Sequence, residues 1–329
     1  MSRAAEAGQQ AAWGGLREAL RARVRRDWNS VVVPLFFVAL IALFSVLHPN
    51  YFTYYNFANV LRQISILAVV TIGMSFVVFG GGFDLSAGSV VALAGTLGAI
   101  VMLKTSILVG VLTGVVVGLL VGLMNGAVIA YLNVSPFIVT LATMYIARDA
   151  ALLVSEGVAI YNLPPAYGRI GSSSWLGIPI LFYGALGVYA LFHVVLNHTH
   201  FGIKVYAVGG NRVAARLSGI SVKGMIVANF GICGMLSGLA GMMLDSRTGS
   251  GEPTAGAFYE LEAIAGVVLG GAALMGGSGK LWRSMMGIAM LGVLSNGLNI
   301  LGVHHYWKGI VVGMVLLGAA SLDMVRRGR

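Results

Sequence analysis

The chain of 329 residues contains one cysteine, Cys233, and only 10% of its residues are charged. A lone thiol excludes a disulfide framework and any metal site built on paired cysteines. A soluble domain carries roughly 25% charged residues, so this chain cannot cover itself with a water-facing shell. What it has instead is apolar length: 58% of residues are hydrophobic and the mean hydropathy is +0.88. Many runs reach or approach the roughly 20 residues that a helix needs to cross hydrocarbon. Runs such as SILVGVLTGVVVGLLVGLMNGAVIAYL (106–132) lack the alternation of a membrane β-barrel. The fold expected is an all-α polytopic membrane protein. The net charge of +10 needs no nucleic-acid partner, because cytoplasmic loops of membrane proteins collect Lys and Arg. Among the 47 glycines, Gly114, Gly118 and Gly122 recur every fourth residue, which places them on one helix face. That is the pattern of helices packed closely in lipid.

About ten transmembrane helices fit the hydropathy, near 31–47, 60–80, 85–104, 107–131, 137–154, 177–197, 224–244, 261–277, 284–301 and 306–323. Residues 1–29 form a basic N-terminal segment with Arg17, Arg21, Arg23, Arg25 and Arg26, suited to a cytoplasmic amphipathic helix on the membrane surface. The transmembrane body is expected over 30–325 and a basic cytoplasmic tail over 326–329. With both termini inside, roughly 15 of the 21 Lys and Arg are cytoplasmic, as the positive-inside rule favours. The loop at 198–223 then falls inside, and the long segments 155–179 and 245–260 fall outside. The outer segments are read either as structured caps or as a docking surface.

GGSGKL (276–281) imitates a phosphate loop, but Leu274 stands where the first glycine is required and Leu281 where Ser or Thr would bind magnesium. If transport is ATP-driven, another chain holds the ATP. In the 198–223 loop, Asn211 suits an N-cap and Gly219 a C-terminal cap of a two-turn helix. Such a helix is too short to stand alone in water. It packs either on its own protein or into a groove on a motor subunit, and the coupling residues would be Asn211, Arg212, Ala214, Ala215, Arg216, Leu217, Ser218 and Gly219.

Asp84, in GGGFDLSAGS (80–89), sits between two uncharged apolar runs. Three readings stay open: a helix N-cap, a cap that also lines a cavity, and a proton-coupling group. YELEAIAGVVLGG (259–271) echoes FDLSAGSVVALAG (83–95), each with an aromatic residue, an acid and a leucine before a helix of small residues. The echoes open the third and eighth spans, five apart, which predicts an inverted repeat of five plus five spans. Asp84, Ser86, Asn125 and Glu260 are the candidate substrate-path residues. Arg148 and Asp149 are expected to snorkel at the outer end of the fifth span. Asn133, Asn296 and Asn299 are read as interhelical hydrogen-bonding groups. The histidines stand at span ends with no acidic partner at helical spacing, so no catalytic centre, metal site or cofactor is expected.

The stretches GFDLSAGSVVALAG, SPFIVTLATMYIAR, KVYAVGGNRVAARLSGI, YELEAIAGVVLGGAALMGGSG and LGVLSNGLNILGV resemble inner-membrane permeases of ribose-type sugar ABC importers, in order from about residue 30 to 325. The resemblance implies a bacterial inner-membrane permease of about ten helices, paired with a second permease, identical or homologous. It implies a cytoplasmic ATP-binding subunit that hydrolyses ATP and contacts Asn211–Gly219, and an external, periplasmic sugar-binding protein. Surrounding lipid is the only other partner. Arg283 and Asp149 depart from the family's small residues at those positions. The alternatives are a stand-alone secondary transporter, or a permease of the same kind for another small polar solute such as branched-chain amino acids.

Overall fold

The computed structural model describes residues 34–304, together with 307, 309–314 and 317–318. The basic segment 1–29, the tail 326–329 and much of the tenth expected span lie outside the described residues. In chain order the helices are α1 (Pro34–Leu47), α2 (Tyr54–Phe79), α3 (Ala87–Lys104), α4 (Ile107–Leu132), α5 (Pro136–Val154) and α6 (Pro165–Ser172). A hairpin of β1 (Ser174–Trp175) and β2 (Ile178–Pro179) leads into α7 (Ile180–His198), α8 (His200–Gly210) and α9 (Arg212–Leu217). The chain continues through α10 (Val222–Thr248), α11 (Tyr259–Leu269) and α12 (Leu281–Ile300).

Six of these, α2, α3, α4, α5, α7 and α10, are long and apolar enough to cross a membrane, and the protein is a multi-pass helical membrane protein. The others explain why the described residues hold six such helices and not ten. α1 is apolar but has only 14 residues. α12 has 20 residues, but Arg283, Asn296 and Asn299 dilute its apolar character. α11, expected as a full span over 261–277, has 11 residues. At 1.5 Å per residue it reaches only about 16 Å, half of the hydrocarbon.

α2, α3 and α10 are buried over most of their length, while α4, α5 and α7 form an outer layer exposed on most sides. The central strut is α10, packed on α4, α2 and α3. Its contact with α4 is backbone against backbone. A Cβ on Gly118 would collide with the Gly234 carbonyl, one on Gly234 with the Gly118 carbonyl, and one on Gly122 with the Phe230 carbonyl. The small-residue stripe therefore lets two helix axes approach without side chains between them, where lipid offers no hydrophobic drive to association.

At the Thr248 end of α10, the segment 155–179 is a structured cap. Tyr167 of α6 is buried and its hydroxyl donates to the Met242 carbonyl, while Ser246 Oγ donates to the Tyr167 carbonyl at 2.7 Å. Arg62 of α2 donates to the Ser172 carbonyl at 2.7 Å. The segment after α10 behaves differently from the external loop expected of it. Gly251 lies against Ala99, and Gly256 against Val91 and the Gly88 carbonyl, so residues 249–258 fold back alongside α3 towards its start. Asn133, expected to bond between helices, is the left-handed C-cap of α4 (φ 56°). Asn296 does bond between helices, exchanging hydrogen bonds of 2.8 and 3.0 Å with Asn56.

Gly118→Val should therefore destabilise the bundle by about 1–3 kcal/mol or more, since overpacking a tight interface costs that much. Gly184→Val on α7, where a Cβ meets nothing within 4 Å, should cost far less. Thermal melting of the two variants in detergent checks this, and equal melting temperatures would contradict the backbone contact.

Candidate functional site

The site begins where α2 stops. Gly81 takes a left-handed conformation (φ 80°), and the Gly82 amide donates back to the Val77 carbonyl at 2.9 Å, which closes the helix end. The chain then turns back along α10: Gly80 lies on Asn229, Gly82 on Phe230, and the Asp84 carboxyl meets the Cys233 thiol. Cys233 stands eleven residues into the 27-residue α10, roughly 16 Å along an axis of about 40 Å. Asp84 is thus held well inside the length of a helix long and apolar enough to cross a membrane, where a lone carboxylate is costly.

Its partners offset that cost. Asp84 Oδ1 accepts the Ser86 amide at 2.9 Å and the Ser86 hydroxyl at 2.6 Å. α3 starts at Ala87 with Ser86 in the N-cap position. Asp84 therefore acts two residues ahead of the helix, its charge beside the positive end of the dipole. Ser86 Oγ in turn accepts from Asn125 Nδ2 of α4 at 3.0 Å, and Asn125 Oδ1 accepts from Thr143 Oγ1 of α5 at 2.6 Å. Three of the four candidate path residues are joined in this chain, and all three are sealed from solvent, with Asp84 only 1% exposed.

Glu260 stands apart, on the other side of the first turn of α3, where its carboxylate rests against Gly88. It sits in the first turn of α11, whose N-cap residue, Phe258, is left-handed (φ 68°) and provides no side-chain cap. Glu260 and Glu262 place negative charge at that helix end. α3 and α11 thus begin side by side and run apart. α3 heads for the Thr248 end of α10, where Gly98 meets Met242, and α11 for the end where Tyr206 of α8 bonds Gly279.

Beside this meeting point lies a cleft of 370 Å³. Leu85 and Ser89 form its α3 wall, Tyr145 and Arg148 its α5 wall, and Phe258 and Glu260 its α11 wall. Arg148 does not reach outward as expected of a snorkelling residue. Its Nη1 donates to the Pro253 and Ala255 carbonyls at 2.9 and 2.7 Å, and its charge attracts Glu260. The returning backbone of 249–258 brings unpaired carbonyls into reach, and a guanidinium has the donors to satisfy them. Asp149 faces outward, exposed.

α9 forms the knob at the far end. Asn211 Oδ1 accepts the Val213 and Ala214 amides at 3.0 Å each, and the Ile220 amide returns to the Ala215 carbonyl around a left-handed Gly219. The coupling residues divide by direction. Val213 (70% exposed) and Leu217 (84% exposed) face out with Ala214, Arg216 and Ser218, whereas Ala215 is buried and Arg212 donates to the Gly81 carbonyl at 3.2 Å.

Thr143, the Cys233 contact and the Arg148 strap escape a reading by spans. Thr143 alone carried a signal, a hydroxyl five residues before Arg148 on the same apolar helix.

A family model described as the permease component of branched-chain amino acid transport systems matches residues 55–320. The ribose import permease protein RbsC of Bacillus subtilis (strain 168) is 41% identical over 287 residues, which are 86% of this chain and 89% of that one. RbsC of Escherichia coli (strain K12) is 38% identical over 291 residues, 87% of this chain and 91% of that one. The L-arabinose transport system permease protein AraH of the same strain is 37% identical over 303 residues, 92% of each chain. No solved structure matches. Matched through both breaks, the cleft and the knob, the chain belongs to the family of transport-system permease components described for branched-chain amino acids.

Proposed function

We propose that this chain is the membrane-spanning permease of an ATP-driven importer in a bacterial inner membrane. With a second permease, identical or homologous, it forms the route for a monosaccharide delivered by an external binding protein. ATP is hydrolysed by a separate cytoplasmic subunit that docks on α9. The observation that carries this reading is the cleft at the paired starts of α3 and α11. Aromatic faces beside a few polar groups suit a neutral, hydroxyl-rich ring, and Glu260 and Ser89 supply acceptors for its hydroxyls. The identity with ribose and arabinose permeases points the same way. A branched-chain amino acid is the second reading, favoured by the family description. Its carboxylate would need Arg148, which is engaged with the carbonyls of Pro253 and Ala255.

The reading extends to ten spans with both termini cytoplasmic and an inverted five-plus-five repeat. Contacts exchanged in pairs support the repeat: α3–α4 with α11–α12, α4–α10 with α2–α12, and α3–α10 with α2–α11. The basic segment 1–29 then lies on the cytoplasmic membrane surface and 326–329 forms the inner tail.

Vesicles holding the permease, its ATP-binding subunit and the binding protein test the function directly. ATP-dependent uptake of ribose or arabinose is expected, and uptake of leucine alone would favour the second reading. In the same vesicles Glu260→Gln should lower uptake about tenfold, the worth of a charged hydrogen bond, with unchanged melting. Asp84→Ala should instead lower the melting temperature, because it strands the Ser86 amide and hydroxyl at about 1–3 kcal/mol. Asp84→Asn retains an acceptor and should melt normally. Wild-type uptake by Glu260→Gln would remove that residue from the route.

Sidedness has its own test, aided by the burial of the single native thiol. In intact cells an impermeant maleimide should label Leu176→Cys, at an 80% exposed position, and spare Leu217→Cys. The reverse pattern would invert the topology. Leu217→Asp should abolish ATPase stimulation while the permease remains folded, and normal coupled uptake by that variant would move the docking surface elsewhere.

A further inference from the structure

Three pieces of backbone meet at the end of the molecule that carries α9. The Gly277 amide donates to the Phe79 carbonyl, the last residue of α2, at 2.9 Å. Gly209, near the end of α8, lies so close to that carbonyl that a Cβ would collide with it. A Cβ on Gly276 would stand 2.6 Å from Gly81, and one on Gly277 2.6 Å from Gly210. Phe79 stacks on Tyr206 with ring centroids 5.5 Å apart, and the Tyr206 hydroxyl donates to the Gly279 carbonyl at 3.1 Å. Burial pushes that hydroxyl up to about 12, so it remains a donor at any physiological pH. No side-chain cushion separates these segments, and a displacement of one is passed to the others.

Resting on the proposed function, we propose that Arg212 is a positioning residue that transmits the movement of α9 to the elbow between α2 and α3. Arg212 is the first residue of α9, and its exposed guanidinium donates to the Gly81 carbonyl at 3.2 Å. Gly81 is the left-handed residue on which α2 ends, and Asp84, three residues on, holds the start of α3. α3 in turn supplies one wall of the cleft. A motor subunit that moves α9 through Val213 and Leu217 would thus pull on the elbow through one side chain. The glycine joint prevents the pull from being absorbed by loose packing.

The test uses the complete complex in vesicles and measures sugar moved per ATP hydrolysed, with whichever of ribose and arabinose the wild type carries. Arg212→Gln should leave a complex that still hydrolyses ATP but moves at least about fivefold less sugar per ATP, the lower end of typical coupling between sites. Arg212→Lys, which keeps a donor without the planar fork, should fall between. Cys233, beside Asp84, is a native reporter of the elbow. In the wild type its reaction with a small methanethiosulfonate should quicken during ATP turnover, and in Arg212→Gln that response should be lost. A wild-type ratio and a wild-type Cys233 response in Arg212→Gln would overturn the proposal. Should Arg212→Gln fail to assemble, the same two measurements on Arg212→Lys decide, and wild-type values there would overturn it. Failure of the wild type to carry any sugar would instead bring down the proposed function.

Discussion

Backbone that leaves helical form inside hydrocarbon has to find its hydrogen-bond partners within the protein. Two segments here do so, residues 80–86 between α2 and α3, and residues 249–258 between α10 and α11. The first is closed by a left-handed glycine and by the Asp84 carboxylate, which takes up the Ser86 amide. The second is closed by Arg148, which takes up two carbonyls from the neighbouring α5. The first lies against α10 and the second against α3. Each solution brings in an ionisable residue with matched partners: Asp84 with hydrogen-bond donors at a helix start, Arg148 with carbonyls and Glu260.

Much of this was legible in the sequence, and the reasons differ by element. The six long helices are carried by uninterrupted apolar length, which no other signal opposes. The α4 stripe follows from its four-residue spacing, and the Asn211 and Gly219 caps from residue types that serve one local purpose. Asp84, Ser86 and Asn125 were singled out as polar groups among apolar runs, and the structure joins them. The shortness of α11 was hidden because 261–277 remains apolar after the helix ends, and hydropathy does not distinguish a short helix followed by glycine turns from a full span. The descent of 249–258 was hidden by the opposite effect, since its polar composition reads as an external loop. Arg148 was misread for the same reason: a guanidinium near a span end has water as its default partner until the returning carbonyls are in view.

The cleft has few polar groups for the sugar route proposed for it, and that sparseness has physical sense. A conduit that gripped its cargo through many well-placed hydrogen bonds would hold it against release, so passage requires binding favourable enough to enter and weak enough to leave. Glu260, Ser89 and one half-committed guanidinium meet that requirement. On the proposed function, selection among sugars falls to the protein that delivers them, consistent with permeases of different named sugars sharing 37–41% identity with this chain.

The glycine seam between α4 and α10 also limits how the molecule can change shape. Shifting α10 by one residue along α4 would carry Cys233 or Met235 into the place of Gly234, where only a hydrogen now fits against the Gly118 carbonyl, so the pair cannot shear. It works as a keel, rigid along its length. Any opening of the mid-membrane cleft must be a swing of α5 and α11 about that keel, and both approach it without such a seam. The walls of the cleft that α5 and α11 supply lie outside that seam, and the longest helix, α10, is the axis.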